Sequence, residues 1–193
     1  MDTLKPVWDI LVYVVLPLWV LAGFGDYLCH RATDIEHANG AKESALHWLM
    51  LFETGAPILA AVFLKVNAVV LGFAFVCLIV HEITGHIDLQ LAMATRRVTA
   101  LEQQIHSLLE VLPLMALLLL AILHYRQAQA LFGFGTQAAD FSIVLKPLPD
   151  WPVIGPPAVA FLIFAILPYA EEFIRGLRAE KASASQGTDG SIG

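Results

Sequence analysis

Residues 107–124 read SLLEVLPLMALLLLAILH, an apolar run in which Glu110 is the single acidic or basic residue apart from the terminal His124. A run of about 20 apolar residues in a helix crosses the hydrocarbon core of a bilayer. Four more segments have this character, and 58% of the 193 residues are hydrophobic while 15% are charged. The sequence therefore predicts an all-α integral membrane bundle of about five transmembrane helices, at 7–25, 45–64, 66–87, 107–124 and 153–170.

Short polar turns separate these segments, which predicts a single membrane domain over 1–181. The first four helices are expected to form an up-down four-helix bundle. The Ser- and Gly-rich segment 182–193 is predicted to be a disordered tail. The first apolar run also resembles a secretory signal peptide, but its length favours a membrane span. The net charge of -6 is diffuse, without a basic stripe, so nucleic acid is not expected as a partner.

Basic residues indicate how the bundle is oriented. With five spans, seven Lys and Arg residues fall on the side of the C-terminus and four on the other side. Cytoplasmic loops carry the excess of basic residues, so the sequence predicts a multi-pass protein of the cell membrane with a cytoplasmic C-terminus. The Gly- and Pro-rich segment 127–152, with four large aromatic residues, is predicted to be an outer loop at the interface.

Four of the seven histidines have an acidic residue four positions before them. Seven histidines and 17 acidic residues among 193 positions would give about 0.6 such pairs by chance. Residues four apart on a helix lie about 40° apart around the axis, so each pair offers an oxygen and a nitrogen ligand on one face. The pairs lie alternately at the end and at the start of successive spans. Because successive spans run in opposite directions, these positions are all at one end of the bundle. The pairs are Asp26 and His30, Glu43 and His47, Glu82 and His86, and Glu102 and His106.

Four carboxylates and four imidazoles at one end of a membrane bundle predict a site for two metal ions, with iron favoured and zinc as the alternative. The alternative is a set of interfacial salt bridges at solvated helix ends. His81, next to Glu82, is predicted to be either a ninth ligand or a hydrogen-bond donor to a ligand. Loop residues Asp34, Glu36 and His37 are expected to be solvated, with a lesser chance of adding a ligand.

Two carboxylates lie deeper in the apolar spans than the histidine pairs. Glu53 and Glu110 are candidate catalytic residues, as part of a proton path or as a bridge to the metals. Alternatively, each is a carboxyl group kept neutral by burial. Pro57 and Pro113 lie three or four residues beyond them, and the kinks they cause are expected to shape a cavity at this depth.

Two short motifs do not carry a function. The segment 81–86, HEITGH, resembles the zinc-protease signature His-Glu-x-x-His but has one extra residue, which turns the two histidines about 140° apart. The segment 171–175, EEFIR, resembles the Glu-Glu-x-x-x-Arg motif of membrane CAAX-type proteases but is one residue short. It follows all the histidines, so it is interpreted as a cytoplasmic helix end.

The site chemistry favours a di-iron oxidoreductase that acts on a lipid, a hydrocarbon or a quinone at the cytoplasmic face, with an electron-donor protein as a partner. In its ligands at cytoplasmic helix ends the chain is similar to membrane di-iron hydroxylases and desaturases, although their His-x-x-His-His boxes are absent. The alternatives are a zinc-dependent membrane hydrolase, a haem or electron-carrying subunit, and a metal transporter.

Overall fold

The chain is helical throughout most of its length in the computed structural model, which describes residues 4–37, 40–147 and 149–189. Five of the helices are long and apolar enough to cross a membrane, which confirms the predicted all-helical class and the number of potential spans. A short helix precedes the last of them. The bounds are Lys5–Ala32 for α1, Gly40–Phe63 for α2, Ala68–Thr95 for α3, Ala100–Leu123 for α4, Tyr125–Leu131 for α5 and 151–189 for α6.

Side-chain caps define where two of the long helices begin. The Asn67 side chain accepts a hydrogen bond from the Val70 N–H at the start of α3, directly after the tight turn that joins α2 to α3. Thr99 and Glu102 form a reciprocal capping box at the start of α4. Since the first N–H groups of a helix have no partner within it, these caps set the register of the residues that follow.

The long helices pack in a ring rather than in the predicted four-helix bundle. Helix α1 packs against α4, α4 against α3, and α3 against α2, while α6 contacts both α2 and α1 and so lies between them. All five long helices therefore surround the interior of the bundle. The end at which α1 and α3 finish and α2 and α4 begin holds most of the buried polar side chains.

A glycine allows α6 to approach α2 closely. A Cβ at Gly176 would lie 2.7 Å from the backbone nitrogen of Ala41 and 2.9 Å from the carbonyl carbon of Gly40, closer than packed atoms tolerate. Only glycine fits this crossing. One turn before it, Glu172 enters the bundle interior and is 1% exposed. The π-helical turn Leu162–Ile166 lies earlier in α6 and shifts the phase of the residues beyond it.

The structure describes most of the predicted outer loop and part of the predicted tail. The segment after α5 returns to the α2–α3 turn, where Lys65 N–H donates to the Val144 carbonyl and Lys146 N–H to that of Phe63. The predicted disordered tail is helical where the structure describes it, because the last helix continues to Asp189. Residues 190–193 of that tail lie outside the described residues.

Candidate metal centre

Eight acidic and imidazole side chains gather at one end of the bundle and form what we call the buried cluster. Six of them were predicted from the sequence, and Asp88 and Glu172 were not. All five long helices contribute, and no member is more than 9% exposed. The members are Asp26 and His30 of α1, Glu43 and His47 of α2, Asp88 of α3, Glu102 and His106 of α4, and Glu172 of α6.

Glu172 holds two of the histidines in a common orientation. One oxygen accepts from His30 Nδ1 at 3.1 Å, and the other accepts from His47 Nδ1 at 3.0 Å and from the Ser44 hydroxyl at 2.7 Å. The two imidazole rings are stacked, with centroids 4.7 Å apart and planes 7° apart. A carboxylate that accepts from Nδ1–H fixes the ring and leaves the lone pair on Nε2, as in many metal sites.

Several donor atoms that face the interior of the cluster have no hydrogen-bond partner among the described residues. By hydrogen-bond geometry they are Nε2 of His30, Nε2 of His47, Oδ1 of Asp26 and Oδ1 of Asp88. Some of them still lie within ion-pair distance of a neighbour, since His106 Nε2 is 2.9 Å from Asp26 Oδ1 and Asp88 Oδ2 is 3.4 Å from His47 Nε2. Buried polar atoms without a partner are rare in folded proteins, because each costs about 1–3 kcal/mol. A group of unpaired lone pairs in one place is the arrangement that a bound cation would satisfy.

The spacing of the donors fits a metal ion. Two overlapping groups, each of two histidines and one carboxylate, have ligand atoms that all lie within 4.8 Å of one another. In the first group, Asp26 Oδ1 lies 3.5 Å from His30 Nε2 and 2.9 Å from His106 Nε2. Two histidines and one carboxylate form the ligand set of non-haem iron and of several catalytic zinc sites. The groups are Asp26, His30 and His106, and His30, Glu43 and His47.

One buried arginine already partners two of the predicted ligands. Arg96 Nη2 lies 2.5 Å from Oε1 of Glu43 and 2.5 Å from Oε1 of Glu102, and the arginine side chain is 7% exposed. Burial opposes the charged guanidinium, but the hydrogen bonds to Glu102 and Glu43 outweigh it and raise the pKa of Arg96 above its ordinary value. The arginine is therefore a permanent positive charge at the rim of the buried cluster.

The pair Glu82 and His86 does not join the buried cluster, which corrects the sequence prediction. Both side chains are exposed on the outer face of α3, where His86 Nε2 lies 2.8 Å from the Gln90 amide. The inward face of α3 instead carries His81, Thr84 and Asp88, all buried. Adjacent helical residues point about 100° apart, so a face that includes His81 directs Glu82 away from it.

His81 lies deeper in the bundle than the cluster and was predicted as a ligand or as a donor to one. Its Nε2–H donates to the Leu109 carbonyl at 3.3 Å, and its Nδ1 lies 3.8 Å from Oε2 of Glu53. Glu53 is 5% exposed and accepts from the Thr84 hydroxyl at 2.8 Å. The structure thus groups Glu53 with His81 and Thr84, one helical turn below Asp88 on α3.

The remaining candidates lie away from the buried cluster. Glu110 is half-buried on α4, and among the described residues no hydrogen bond or ion pair joins it to the cluster. Asp34 is exposed in the α1–α2 loop, whereas Glu36 pairs with Arg175 of α6 and so is not solvated as predicted. The side chain of His37 lies outside the described residues.

We expect that Glu172→Leu will destabilise the protein in detergent by about 2–3 kcal/mol. The substitution leaves three buried donors without an acceptor, although the loss of one of several like charges offsets part of that cost. The measurement is thermal unfolding followed by circular dichroism. Glu180→Leu is the matched control, because Glu180 is exposed on the same helix, where a surface charge contributes at most about 1 kcal/mol. Equal melting of the two variants would contradict a bridging role for Glu172.

These features define a class: a helical protein with five potential membrane spans and a buried cluster of carboxylates and histidines at one end. No known family model matches the chain, and no curated protein or solved structure matches it either. Conclusions about its function therefore rest on the geometry of the site.

Proposed function

We propose that the buried cluster binds two divalent metal ions, with iron favoured, and that the protein is a membrane-bound di-iron oxidoreductase that acts on a lipid-soluble substrate. The observation that carries this proposal is the group of buried donor atoms without hydrogen-bond partners. Two of these atoms are the Nε2 atoms of His30 and His47, and the Nδ1 atoms of the same rings bond Glu172. The competing explanation is a network of ion pairs with protonated histidines, because the Nε2 atoms of His30, His47 and His106 lie 2.9–3.5 Å from carboxylate oxygens of the cluster.

Charge balance supports two ions rather than one. Five buried carboxylates face a single buried guanidinium, which leaves four negative charges when the imidazoles are neutral. Two divalent cations would cancel these charges. Unpaired charges at the edge of hydrocarbon cost several kcal/mol each, so a cluster of this composition requires either cations or protonated histidines. The carboxylates are Asp26, Glu43, Asp88, Glu102 and Glu172.

Iron and a lipid-soluble substrate are favoured by the donor set and by the surroundings. Sets of two histidines and one carboxylate leave coordination positions open, which oxygen-dependent iron chemistry needs. The walls of the bundle below the cluster are apolar, so a substrate that reaches this depth is a lipid, a hydrocarbon or a quinone. Reduction of the irons between turnovers would need an electron-donor protein, which would dock at the end of the bundle nearest the cluster.

A zinc-dependent membrane hydrolase is the second candidate, and a specific observation favours it. The two candidate ligand groups share His30, and Arg96 already partners Glu43. The arginine does not pair with any member of the other group, which consists of Asp26, His30 and His106. A single ion held by two histidines and a carboxylate is an established catalytic zinc arrangement, in which the metal lowers the pKa of a bound water.

Metal analysis of the purified full-length protein tests both candidates. We expect about two iron ions per chain and an absorption spectrum without haem bands. Zinc alone at one ion per chain would support the hydrolase, and a Soret band would contradict both proposals. A protein that binds no metal after purification without chelators and incubation with ferrous iron or zinc would show that the cluster is an ion-pair network.

Orientation is a separate prediction with its own test. We expect a reporter fused after Lys181 to be cytoplasmic and one inserted near Thr136 to be outside, because seven of the eleven basic residues lie on the C-terminal side of the five spans. The measurement is the activity of a topology reporter that is active on one side of the cell membrane only. The reverse pattern would put the buried cluster at the outer face.

A further inference from the structure

An apolar cavity of about 460 Å³ runs through the half of the bundle that the buried cluster does not occupy. It lies among α1, α2, α3 and α4, and its rim is near Lys65 and Lys146, at the opposite end from the cluster. Its volume is within the range of about 300–1,000 Å³ that is typical of small-molecule sites. Pro57 and Pro113 both line it, as predicted from their positions beyond the two deep carboxylates.

Glu53 lies at the inner end of this cavity and carries an oxygen without a hydrogen-bond partner. Its Oε1 accepts from Thr84, but its buried Oε2 has no partner among the described residues. Nδ1 of His81 lies 3.8 Å from this oxygen and likewise has no hydrogen-bond partner among the described residues. Glu53 itself lines the cavity, so the free oxygen belongs to a residue that a ligand in the cavity would touch.

The orientation of the His81 ring is set by a carbonyl of α4. Pro113 has no N–H, so it cannot bond the carbonyl of Leu109 four residues earlier on α4. That carbonyl accepts from His81 Nε2 instead, at 3.3 Å. That bond leaves His81 Nδ1 on the side of Glu53 Oε2, and neither of these buried atoms has a hydrogen-bond partner among the described residues. A donor on a molecule bound in the cavity would satisfy Glu53 Oε2.

We propose that this cavity binds a lipid-soluble molecule that carries a hydroxyl group, with the hydroxyl donating to Glu53 and the apolar body extending toward the rim. A hydroquinone with an aliphatic chain and a long-chain alcohol share this chemistry. Lys146 does not need an anionic ligand as a partner, because its ammonium group donates to the Ala61 carbonyl near the end of α2 at 2.5 Å. Such a ligand would be the substrate of the proposed oxidoreductase. Its binding does not depend on that proposed function, whereas its chemical conversion does.

The position of Glu53 relative to the cluster connects binding to the proposed chemistry. Thr84, which bonds Glu53, and Asp88, which lies 3.4 Å from His47, are one turn apart on the same face of α3. A hydroxyl bound at Glu53 would therefore lie about one helical turn, or roughly 5–6 Å, from the buried cluster. The cavity would deliver the hydroxyl end of the ligand to the side of the cluster that faces the membrane interior.

The test compares two probes, a benzoquinol with a decyl chain and its dimethyl ether, in which methyl groups replace the two hydroxyl hydrogens. Binding to the full-length protein in detergent is followed by tryptophan fluorescence, because Trp8 and Trp19 line the cavity. We expect saturable binding of the quinol and at least tenfold weaker binding of the ether. Glu53→Leu should weaken the quinol about tenfold and leave the ether unchanged, whereas Glu53→Gln, which retains an acceptor, should bind the quinol more tightly than Glu53→Leu.

Controls separate this inference from the metal proposal. Ala74→Phe, which fills the cavity, should abolish binding of both probes, and Gln103→Leu, which is exposed on α4 and outside the cavity lining, should leave both unchanged. Displacement of the quinol by 1-dodecanol would identify a chain alcohol as the recognised class, and no displacement would identify a hydroquinone. Equal affinity for quinol and ether would overturn the inference, whatever the metal content. Binding that persists in a metal-free protein would leave it standing while the oxidoreductase fails.

Discussion

Replacing His30 with alanine should lower the metal affinity of the protein by more than about 100-fold. Loss of a hydrogen-bond partner of a ligand typically costs 10–100-fold, and His30 is itself a ligand candidate that belongs to both possible metal groups. Its Nε2 lies 3.5 Å from carboxylate oxygens of Asp26 and Glu102, so no neighbouring side chain can replace it as a nitrogen donor without moving. The measurement is metal content of the purified variant after equilibration with ferrous iron or zinc at fixed free concentrations.

His86→Ala is the matched control for this experiment. His86 also follows an acidic residue by four positions, but its side chain is exposed on the outer face of α3. The variant should retain the metal content of the unmodified chain. Chelation should lower the melting temperature of the unmodified protein and of His86→Ala and should leave His30→Ala nearly unchanged, because a ligand that binds only the folded state stabilises it. Loss of metal in both variants, or in neither, would contradict the proposed ligand set.

The contrast between these two histidines shows what sequence can and cannot establish about the site. Three of the four predicted pairs lie buried together at one end of the bundle, as helical spacing and position in the spans predicted. Helical spacing could not indicate which face of α3 points inward, because Glu82, His86 and Gln90 repeat every four residues just as Thr84 and Asp88 do. The choice between the two faces depends on packing against α2 and α4, which a single sequence does not record.

The last long helix, α6, shows a second limit of prediction from the sequence. Glu172 has no histidine four positions after it, so the repeated pattern did not include it, and the motif around it suggested a solvated helix end. Its burial depends on the close approach at Gly176 and on the phase of α6 after the π-helical turn. A signal was present, since Glu172 lies near the end of the fifth span on the side of the other pairs. Apolar length alone predicted the five helices that are long enough to span a membrane, because span length depends on bilayer thickness rather than on packing.

Replacing Arg96 with leucine should destabilise the metal-free protein by about 3–5 kcal/mol, the cost of leaving buried charges without their partner. Arg96 is the partner of both Glu43 and Glu102, and its removal leaves two fully buried carboxylates next to each other and to His30. For a chain of this size the expected decrease in melting temperature is roughly 6–20 °C. The measurement is thermal unfolding in detergent after chelation, followed by circular dichroism.

Two further variants separate the effect of the buried charge from a general loss of basic residues. Arg97→Leu removes the same charge from the next position, where the side chain is exposed, and should change the melting temperature by less than about 2 °C. Adding Glu43→Gln to Arg96→Leu removes one of the unpaired carboxylates and should recover part of the lost stability, because the two substitutions act on one ion-pair network. Divalent metal should stabilise Arg96→Leu more than the unmodified protein, since the cluster would then carry five uncompensated carboxylates instead of four and would attract cations more strongly. Equal melting of the Arg96 and Arg97 variants would mean that Glu43 and Glu102 are protonated or hydrated in the folded protein, and the charge balance that favours two metal ions would fail.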